Sequence, residues 1–263
     1  MDFETLTYAL DNHVATITIT RPKAFNALDE QLSKDLYDVA SHCGYDKDVR
    51  AVIITGEGDK AFCAGGDVAS FAAMGEDASR RMANMTTHLH TAISRFSWMA
   101  APTIAAVNGV AAGAGLSLMA CCDLAIAADH ASFTSAYTKI GMTPDGSSTY
   151  FLPRLIGHRR TMELYLTNRV LNAAEAREWG LVNSVVEASD LMAAAQEIAA
   201  NIAAGAPLAN AGVKRLMMLT ANESLETQME RETRSIAAMA ASRDGQEGFA
   251  SFVARRAPNF TGE

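Results

Sequence analysis

Alternating and nearly continuous apolar runs near the start of the chain predict strands on either side of a helix. Residues 13–20, HVATITIT, alternate between apolar residues and threonine, which is the period of a half-buried strand. Residues 50–56, RAVIITG, are almost entirely apolar and end in glycine, as in a strand buried on both faces. Between them, a helix behind the candidate N-cap Asp29 is predicted by apolar residues at helical spacing, namely Leu32, Leu36, Val39, Ala40 and Cys43.

The alternation of strands and helices continues to about residue 158 and then gives way to helices. Residues 79–97 predict a helix, PTIAAVNG at 102–109 a strand, AGAGLSLMACC a short buried helix, and DLAIAA and ASFTS two strands. After residue 158 the single predicted strand is LVNSVVE at 181–187. The predicted helices there are RRTMELYLT, AAEAREWG, DLMAAAQEIAANIAA, NAGVKRLMMLT and SLETQMERETRSIAAMAASR. Short connections between alternating elements predict an α/β fold with largely parallel strands.

Composition and charge narrow the classes of function. The 263 residues are 49% hydrophobic and carry a formal net charge of −8, which allows a large core and disfavours binding to nucleic acid or an anionic membrane. The four cysteines form no Cys-x-x-Cys pair, and no Cys/His cluster suggests a metal or redox cofactor. An acidic N-terminus and the absence of any apolar run of about 18 residues predict a cytoplasmic protein without a signal peptide or membrane span.

Two glycine-rich segments follow predicted strands: AFCAGGD at 61–67 and NGVAAGAG at 108–115. Glycine lets a backbone approach a ligand closely, and the second segment leads straight into a helix, whose first amides form a positive end. Two such amides aimed at one oxygen would stabilise an enolate or a tetrahedral oxyanion. Spacing alone favours ordinary tight turns, and neither segment has the spacing of a nucleotide-binding loop.

Three motifs taken together resemble the enoyl-CoA hydratase/isomerase (crotonase) family: RPKAFNALD, AFCAGGD and AAVNGVAAGAGLSLMACCDLAIAA. The similarity runs nearly end to end and finishes in EGFASFVARRAPNFTGE. Within the family, NGVAAGAG, IGMTPDG and the terminal FTG are most similar to enoyl-CoA isomerases of the 1,2-epoxyphenylacetyl-CoA isomerase type. The resemblance implies a crotonase-like spiral of repeated ββα units at residues 1–200 and a helical trimerisation or capping region at 201–263. It also implies a homotrimer or a dimer of trimers.

An acyl-CoA thioester is the substrate that the resemblance implies, with coenzyme A as part of the substrate, no separate cofactor and no metal. The oxyanion hole would be formed by the backbone amides of Gly66 and Ala114. Hydratases of the family use two glutamates, at positions that hold Ser117 and Tyr137 here, so paired acid–base activation of water is missing. The resemblance therefore favours isomerisation of a double bond or a ring epoxide, through an enolate, over hydration.

Asp145, in the turn TPDGSS, lies where several isomerases of the family carry their acid–base carboxylate. One carboxylate can take a proton from one carbon and return it to another. The residues alone favour a different role, in which Asp145 caps a helix that begins near Ser147. The resemblance reverses that preference and makes Asp145 the expected proton carrier, with Tyr137 beside the bound acyl group.

His90 points to an alternative reaction. Relatives that hydrolytically dehalogenate aroyl-CoA keep a histidine base at this position, use the aspartate at the Asp145 position as nucleophile, and carry Trp where this chain has Tyr137. A surface or packing role is favoured for His90 and for His88, which face different sides of a helix. Hydration, dehalogenation or thioester hydrolysis, and non-catalytic acyl-CoA binding remain the alternatives. RNA binding, known for one family member, is disfavoured by the acidic charge.

Coenzyme A is expected to meet the residues at the family's binding positions: Lys23, Phe25, Ala64, Asp67, Val68 and Arg255. Lys23 would meet a phosphate, and Arg255 would reach the nucleotide, either in its own subunit or in a neighbour. The Ala64 carbonyl would accept a hydrogen bond from the adenine amino group. Ordinary solvated charge is the alternative role for Lys23 and Arg255.

Overall fold

A twisted six-stranded sheet forms the centre of the protein, which a computed structural model describes for residues 2–263. Its strands, in spatial order, are β1 (Leu6–Asp11), β2 (Val14–Ile19), β3 (Ala51–Gly56), β5 (Thr103–Val107), β7 (Leu124–Ala128) and β10 (Ser184–Val186). β1 pairs antiparallel with β2, and the remaining pairs are parallel. The strands predicted at 13–20, 50–56 and 102–109 are confirmed.

A second, smaller sheet consists, in spatial order, of β4 (Ala61–Cys63), β6 (Val110–Ala112), β8 (Ser132–Thr134) and β9 (Leu171–Asn172). β4, β6 and β8 each follow a strand of the larger sheet, so that the pairs β3–β4, β5–β6 and β7–β8 recur along the chain. A helix follows each pair, which confirms the predicted spiral of ββα units in an α/β fold. The sequence analysis predicts no strand at β1, and it misses β4, β6 and β9 because two or three residues are too few to show a period.

The helices within residues 2–263 are α1 (Glu30–Tyr45), α2 (Val68–Ala72), α3 (Ala78–Trp98), α4 (Ala114–Ala120), α5 (Ser148–Ile156), α6 (His158–Thr167), α7 (Ala173–Trp179), α8 (Leu191–Ala204), α9 (Pro207–Thr220), α10 (Leu225–Ala241) and α11 (Arg243–Ala254). Asp29 caps α1 as predicted, since its Oδ1 accepts the amide of Leu32 at 2.8 Å. Each helix in this part of the chain is too short or too polar to cross a lipid bilayer.

The last two helices correct the prediction. The pattern predicts one helix over 224–243 and none after it, whereas α10 ends at Ala241 and α11 begins at Arg243. A Cβ at Gly245 would lie 1.9 Å from the carbonyl oxygen of Met239, so only glycine permits this close contact between the two helices. The weak helix propensity of Gly245 and Gly248 hides α11 from the sequence pattern.

Apolar layers cover both faces of the larger sheet, which explains the continuous apolar run in β3. Val52 and Ile54 belong to the core shared with α1 and α3, and Ala51 and Ile53 belong to the core shared with α8. The two-sided packing fixes the ends of the parallel strands. The glycine-rich segments leave the sheet at these ends.

Candidate active site

A cavity of about 290 Å³ lies beside the two glycine-rich segments. Its apolar lining comes from Leu28, Val68, Phe71, Met82, Met85, Leu89, Ile140 and Met142. Gly66, Ala114, Tyr137 and Asp145 line the same cavity, so the structure brings these four predicted site residues together. Within residues 2–263, Asp145 is the one carboxylate residue in the lining.

The two glycine-rich segments lie in contact with each other. Gly65 and Gly113 adopt φ angles of +93° and +51°, which side chains other than glycine rarely allow. A Cβ at residue 65 would lie 2.8 Å from the carbonyl oxygen of Ala112 and 3.4 Å from the amide nitrogen of Ala114. Glycine therefore permits the close approach that an oxyanion hole built from the amides of Gly66 and Ala114 requires.

The direction of the Gly66 amide follows from a parallel bridge to Leu28. The carbonyl oxygen of Gly65 accepts the amide of Leu28 at 2.7 Å, and the carbonyl oxygen of Leu28 accepts the amide of Asp67 at 2.8 Å. Because the C=O and N–H of a trans peptide unit point in opposite directions, the bond from Leu28 turns the Gly66 N–H away from Leu28. This amide donates to no acceptor within residues 2–263.

The Ala114 amide is oriented by the first turn of α4. The carbonyl oxygen of Gly113 accepts the amide of Ser117 at 3.1 Å. The peptide unit is thereby fixed with the Ala114 N–H pointing out of the helix start, and among the described residues this amide also meets no acceptor. Both proposed donors are thus preset by hydrogen bonds to the carbonyl in their own peptide unit.

Asp145 is held by a tyrosine and does not cap a helix. The Tyr137 hydroxyl donates to Asp145 Oδ1 at 2.6 Å. Burial, together with the nearby Asp145 charge, raises the pKa of Tyr137 well above its ordinary value, so the phenol keeps its proton and remains a donor. The N-cap of α5 is Ser147, without any side-chain capping bond, so the capping role considered for Asp145 is wrong.

Ser117 completes the hydroxyl pair beside Asp145. This fully buried side chain donates to the carbonyl oxygen of Asp145 at 3.0 Å and lies 3.1 Å from the Tyr137 hydroxyl. Ser117 and Tyr137, which the resemblance matches to the two glutamates of hydratases, are thus two hydroxyls that contact one aspartate. Ser117 thus ties the turn of Asp145 to the helix that carries Ala114.

His90 lies beside Asp145, although a surface or packing role was favoured from the sequence. Its Nε2 accepts the amide of Gly146 at 3.1 Å and lies 3.9 Å from Asp145 Oδ2. His88 instead faces the ring of Tyr37, at 6.0 Å between centroids, which confirms that the two histidines differ in surroundings. No group of three or more His, Cys, Asp or Glu side chains within residues 2–263 is placed to hold a metal ion.

The residues expected at coenzyme A fall into three places. Ala64 and Val68 line the cavity, whereas Lys23 and Phe25 line an adjoining hollow of about 270 Å³. The amide of Ala64 donates to the carbonyl oxygen of Phe25 at 3.1 Å, which joins the two places. Arg255 is exposed at the end of α11 and lines neither of them.

Asp67 lies next to the cavity, but its carboxylate is already engaged. It accepts the amide of Ser70 at 3.1 Å as the N-cap of α2 and lies 3.2 Å from Arg21 Nη2. Burial alone would raise the pKa of this carboxyl, but the hydrogen bonds from Ser70 and Arg21 outweigh it and lower the pKa. The coenzyme A contacts assigned to these residues remain predictions.

Two parts of the site escape the sequence analysis. Met82, Met85 and Leu89 form a cavity wall at helical spacing, a signal that the polar residues between them obscure. Arg21 contacts Asp67 across 46 positions of the chain, and no spacing rule predicts such a pair.

Known proteins resemble this chain over nearly its whole length. Residues 9–263 match the enoyl-CoA hydratase/isomerase family. A 4-chlorobenzoyl coenzyme A dehalogenase from an Arthrobacter species is 37% identical over 86% of this chain and 82% of its own length. The 1,2-epoxyphenylacetyl-CoA isomerase of Escherichia coli is 32% identical over 97% of both chains.

A solved structure extends the likeness to the fold. The enoyl-CoA hydratase of Bacillus anthracis superposes with a TM-score of 0.94 at 33% identity, covering 99% of this chain and 100% of that one. The matched residues include both glycine-rich segments and the Asp145 turn. The chain belongs to the enoyl-CoA hydratase/isomerase family.

Proposed function

We propose that this protein isomerises acyl-CoA thioesters, shifting a double bond or opening a ring epoxide, with Asp145 as the proton carrier. The observation that carries the proposal is the lining of the cavity: one carboxylate, pinned by Tyr137, faces a space that two free amides also border. The similarity to 1,2-epoxyphenylacetyl-CoA isomerase supports the same reaction class.

The amides of Gly66 and Ala114 would donate to the thioester carbonyl oxygen and stabilise the enolate that forms on loss of a proton. Each such donor contributes roughly 3–4 kcal/mol in other enzymes. Because Oδ1 of Asp145 is occupied by Tyr137, Oδ2 takes the proton from the α carbon and returns it to the γ carbon. The double bond moves by one position, and no atom is gained or lost.

Hydration would need a second acid–base group to activate water and protonate the neighbouring carbon. Ser117 and Tyr137 occupy the positions where that group is expected. The raised pKa of Tyr137 keeps its proton on the phenol, so it is a donor and not a base. Isomerisation needs one proton carrier and is therefore the better match.

The substrate would be bound through coenzyme A, which is part of the substrate, so the proposed reaction needs no separate cofactor. Ala64 and Val68, which line the cavity, and Lys23 and Phe25, which line the second hollow, would contact the coenzyme. The hydrogen bond from the Ala64 amide to the Phe25 carbonyl holds residues of the two linings next to each other. Arg255 would take part from a neighbouring subunit. A cytoplasmic location is supported by the free thiols of Cys43, Cys63, Cys121 and Cys122.

Assembly into a homotrimer or a dimer of trimers is supported by large apolar side chains that the C-terminal helices leave exposed, Ile236, Phe252 and Val253. Burying these side chains between subunits would remove apolar surface from water. Light scattering of the purified protein measures the mass directly.

A second candidate, hydrolytic dehalogenation of an aroyl-CoA, is favoured by the 3.9 Å contact between His90 Nε2 and Asp145 Oδ2. The similarity to 4-chlorobenzoyl coenzyme A dehalogenase points the same way. In that reaction Asp145 would displace halide and His90 would activate the water that cleaves the aspartyl ester. The lone pair of His90 Nε2 already accepts the Gly146 amide, which leaves this nitrogen occupied and favours isomerisation.

The test compares wild type, Asp145→Asn and the exposed control Asp129→Asn. Each is incubated with cis-3-enoyl-CoA or 2-enoyl-CoA in D2O and followed by NMR. We expect a shifted double bond with deuterium at the α or γ carbon in wild type and the control, and a loss of at least about 10²-fold in Asp145→Asn. A 3-hydroxyacyl product that persists in Asp145→Asn would establish hydration instead.

The second candidate is separated from isomerisation by a single turnover with 4-chlorobenzoyl-CoA in H2¹⁸O. Chloride release with ¹⁸O in the Asp145 side chain would establish the aspartyl-ester route. Tight binding of acyl-CoA without turnover of any of these thioesters would identify a non-catalytic relative.

A further inference from the structure

We propose that Arg21 is a positioning residue that aims the Gly66 amide into the oxyanion hole. The inference rests on the proposed function, because it assigns Arg21 a role in holding a thioester oxyanion. Arg21 lies outside the cavity lining and acts through the bridge between Leu28 and Gly66.

The guanidinium of Arg21 contacts the residues on both sides of this bridge. Nη1 donates to the carbonyl oxygen of Ala27, and Nη2 lies 2.6 Å from Asp29 Oδ2 and 3.2 Å from Asp67 Oδ2. Ala27 and Asp29 flank Leu28, and Asp67 follows Gly66. One side chain therefore joins the two backbone segments at the point where the bond from Leu28 to Gly65 sets the direction of the Gly66 N–H.

Both carboxylates also begin helices. Asp29 Oδ1 accepts the amide of Leu32 at 2.8 Å at the start of α1, and Asp67 Oδ1 accepts the amide of Ser70 at the start of α2. All three charged side chains are mostly buried, with 19% of Arg21, 24% of Asp29 and 16% of Asp67 exposed. Without the guanidinium, two half-desolvated carboxylates would repel each other across the bridge.

The planar fork of Arg21 is essential to this arrangement. Two nitrogens in fixed geometry reach a carbonyl and two carboxylates, which the single ammonium of lysine cannot reproduce. If the two segments separate, the Gly66 N–H rotates from the oxyanion. An oxyanion-hole donor contributes about 10²–10³-fold to kcat, so a misdirected donor loses a large part of that factor.

The test uses 4-dimethylaminocinnamoyl-CoA, an enoyl thioester whose absorption moves to longer wavelength when its carbonyl oxygen is polarised. Wild type, Arg21→Lys, Arg21→Gln and the control Arg169→Gln are compared by this shift, by kcat and KM, and by thermal unfolding. Arg169 is a matched control, because it also bridges two carboxylates, Glu163 and Glu175, at 2.7 and 2.5 Å. A variant that fails to fold is replaced by Asp67→Asn, which keeps the N-cap oxygen and removes its charge.

We expect Arg21→Gln to lose most of the red shift and at least about tenfold in kcat, with KM within about threefold of wild type. Arg21→Lys should show a red shift and a kcat between those of wild type and Arg21→Gln. Arg169→Gln should match wild type in both readouts. A wild-type red shift and kcat in Arg21→Gln or Asp67→Asn would overturn the positioning role, as would equal losses in Arg169→Gln. Binding to wild type without a red shift would instead overturn the oxyanion hole, and with it the proposed function.

Discussion

A single hydrogen bond sets the orientation of the Asp145 carboxylate. The Tyr137 hydroxyl donates to Oδ1 of this cavity-lining residue, Oδ2 lies 3.9 Å from His90 Nε2, and Ser117 holds the backbone of the same residue. The carboxylate is thereby presented in one orientation, which proton transfer between two carbons of a bound substrate requires. His90 Nε2 accepts the amide of Gly146 and so holds the peptide that follows Asp145.

Replacing Tyr137 by Phe removes this bond and leaves the ring in place. Because hydrogen bonds to charged groups contribute about 1.5–3 kcal/mol, we expect kcat for isomerisation to fall about 10- to 100-fold. Tyr165→Phe is the control, since that buried hydroxyl donates to Ser148 Oγ at 2.8 Å and not to the carboxylate. Equal kcat in Tyr137→Phe and wild type would show that Asp145 is oriented by other contacts.

The sequence alone could not choose between a base and a cap at residue 145. The residues that exclude the cap, Ser117 and Tyr137, lie 28 and 8 positions away and meet Asp145 only after the chain folds. The resemblance to a family named Gly66, Ala114, Tyr137 and Asp145, and these four residues line one cavity. The family pattern also pointed to His90, as the histidine base of dehalogenating relatives, and its Nε2 lies 3.9 Å from Asp145 Oδ2, whereas the residues alone favoured a surface or packing role.

At the scale of elements, the site depends on how closely α4 approaches β4. A Cβ at Gly115 would lie 2.0 Å from the carbonyl oxygen of Cys63, a backbone atom that cannot move freely. The strands and helices of this unit follow from apolar periodicity, as predicted. The distance between α4 and β4 does not follow from this periodicity, because it depends on the absence of a Cβ at Gly115. In the sequence, a glycine beside a strand is equally typical of a turn.

Gly115→Ala is therefore expected to destabilise the protein by about 2–3 kcal/mol through overpacking, despite the better helix propensity of alanine. Gly44→Ala is the control, since a Cβ there would meet only Met99 Cβ, at 4.0 Å. This variant should be more stable than wild type by up to about 1 kcal/mol. Urea unfolding at neutral pH measures both. Equal stability of Gly115→Ala and wild type would show that α4 can shift away from β4.

At the scale of the whole molecule, the C-terminal residues fold back and are held by charged groups. Asp244 accepts the amides of Thr261 and Gly262 at 2.7 and 2.8 Å, and Arg50 donates to the carbonyl oxygen of Phe260 at 3.1 Å. These contacts tie the tail to α11 and to the residue that precedes β3. The sequence predicted a helical C-terminal region, but contacts between residues 50 and 260 lie beyond any local pattern.

The Glu247–Arg256 pair in this region predicts a pH dependence. The hydrogen bond from Arg256, followed by that from the Asn259 amide, lowers the pKa of Glu247 from 4.5 to about 2. A carboxyl whose pKa is lower in the folded state stabilises that state at pH values above the pKa of the unfolded state, here 4.5. This contribution is lost as the pH falls towards the folded-state pKa of about 2. The tail contacts of Glu247 should therefore weaken on acidification.

Glu247→Gln is expected to unfold at lower urea concentration than wild type at about pH 6, with the difference shrinking by about pH 3. The control is Glu230→Gln, an exposed residue that pairs with Arg234 on its own helix and contacts no part of the tail. A difference between Glu247→Gln and wild type that stays constant over this range would contradict the pH dependence.

Transfer of a labelled proton tests the central claim, that one carboxylate both removes and returns it. A 3-enoyl-CoA with two deuterium atoms at the α carbon is converted in ordinary water, and the product is analysed by NMR and mass spectrometry. The account predicts that wild type delivers part of the label to the γ carbon of the 2-enoyl product and that Asp145→Asn does not. A wild-type product with no deuterium at the γ carbon, in which the abstracted deuteron is lost entirely to water, or a hydrated product, would contradict it.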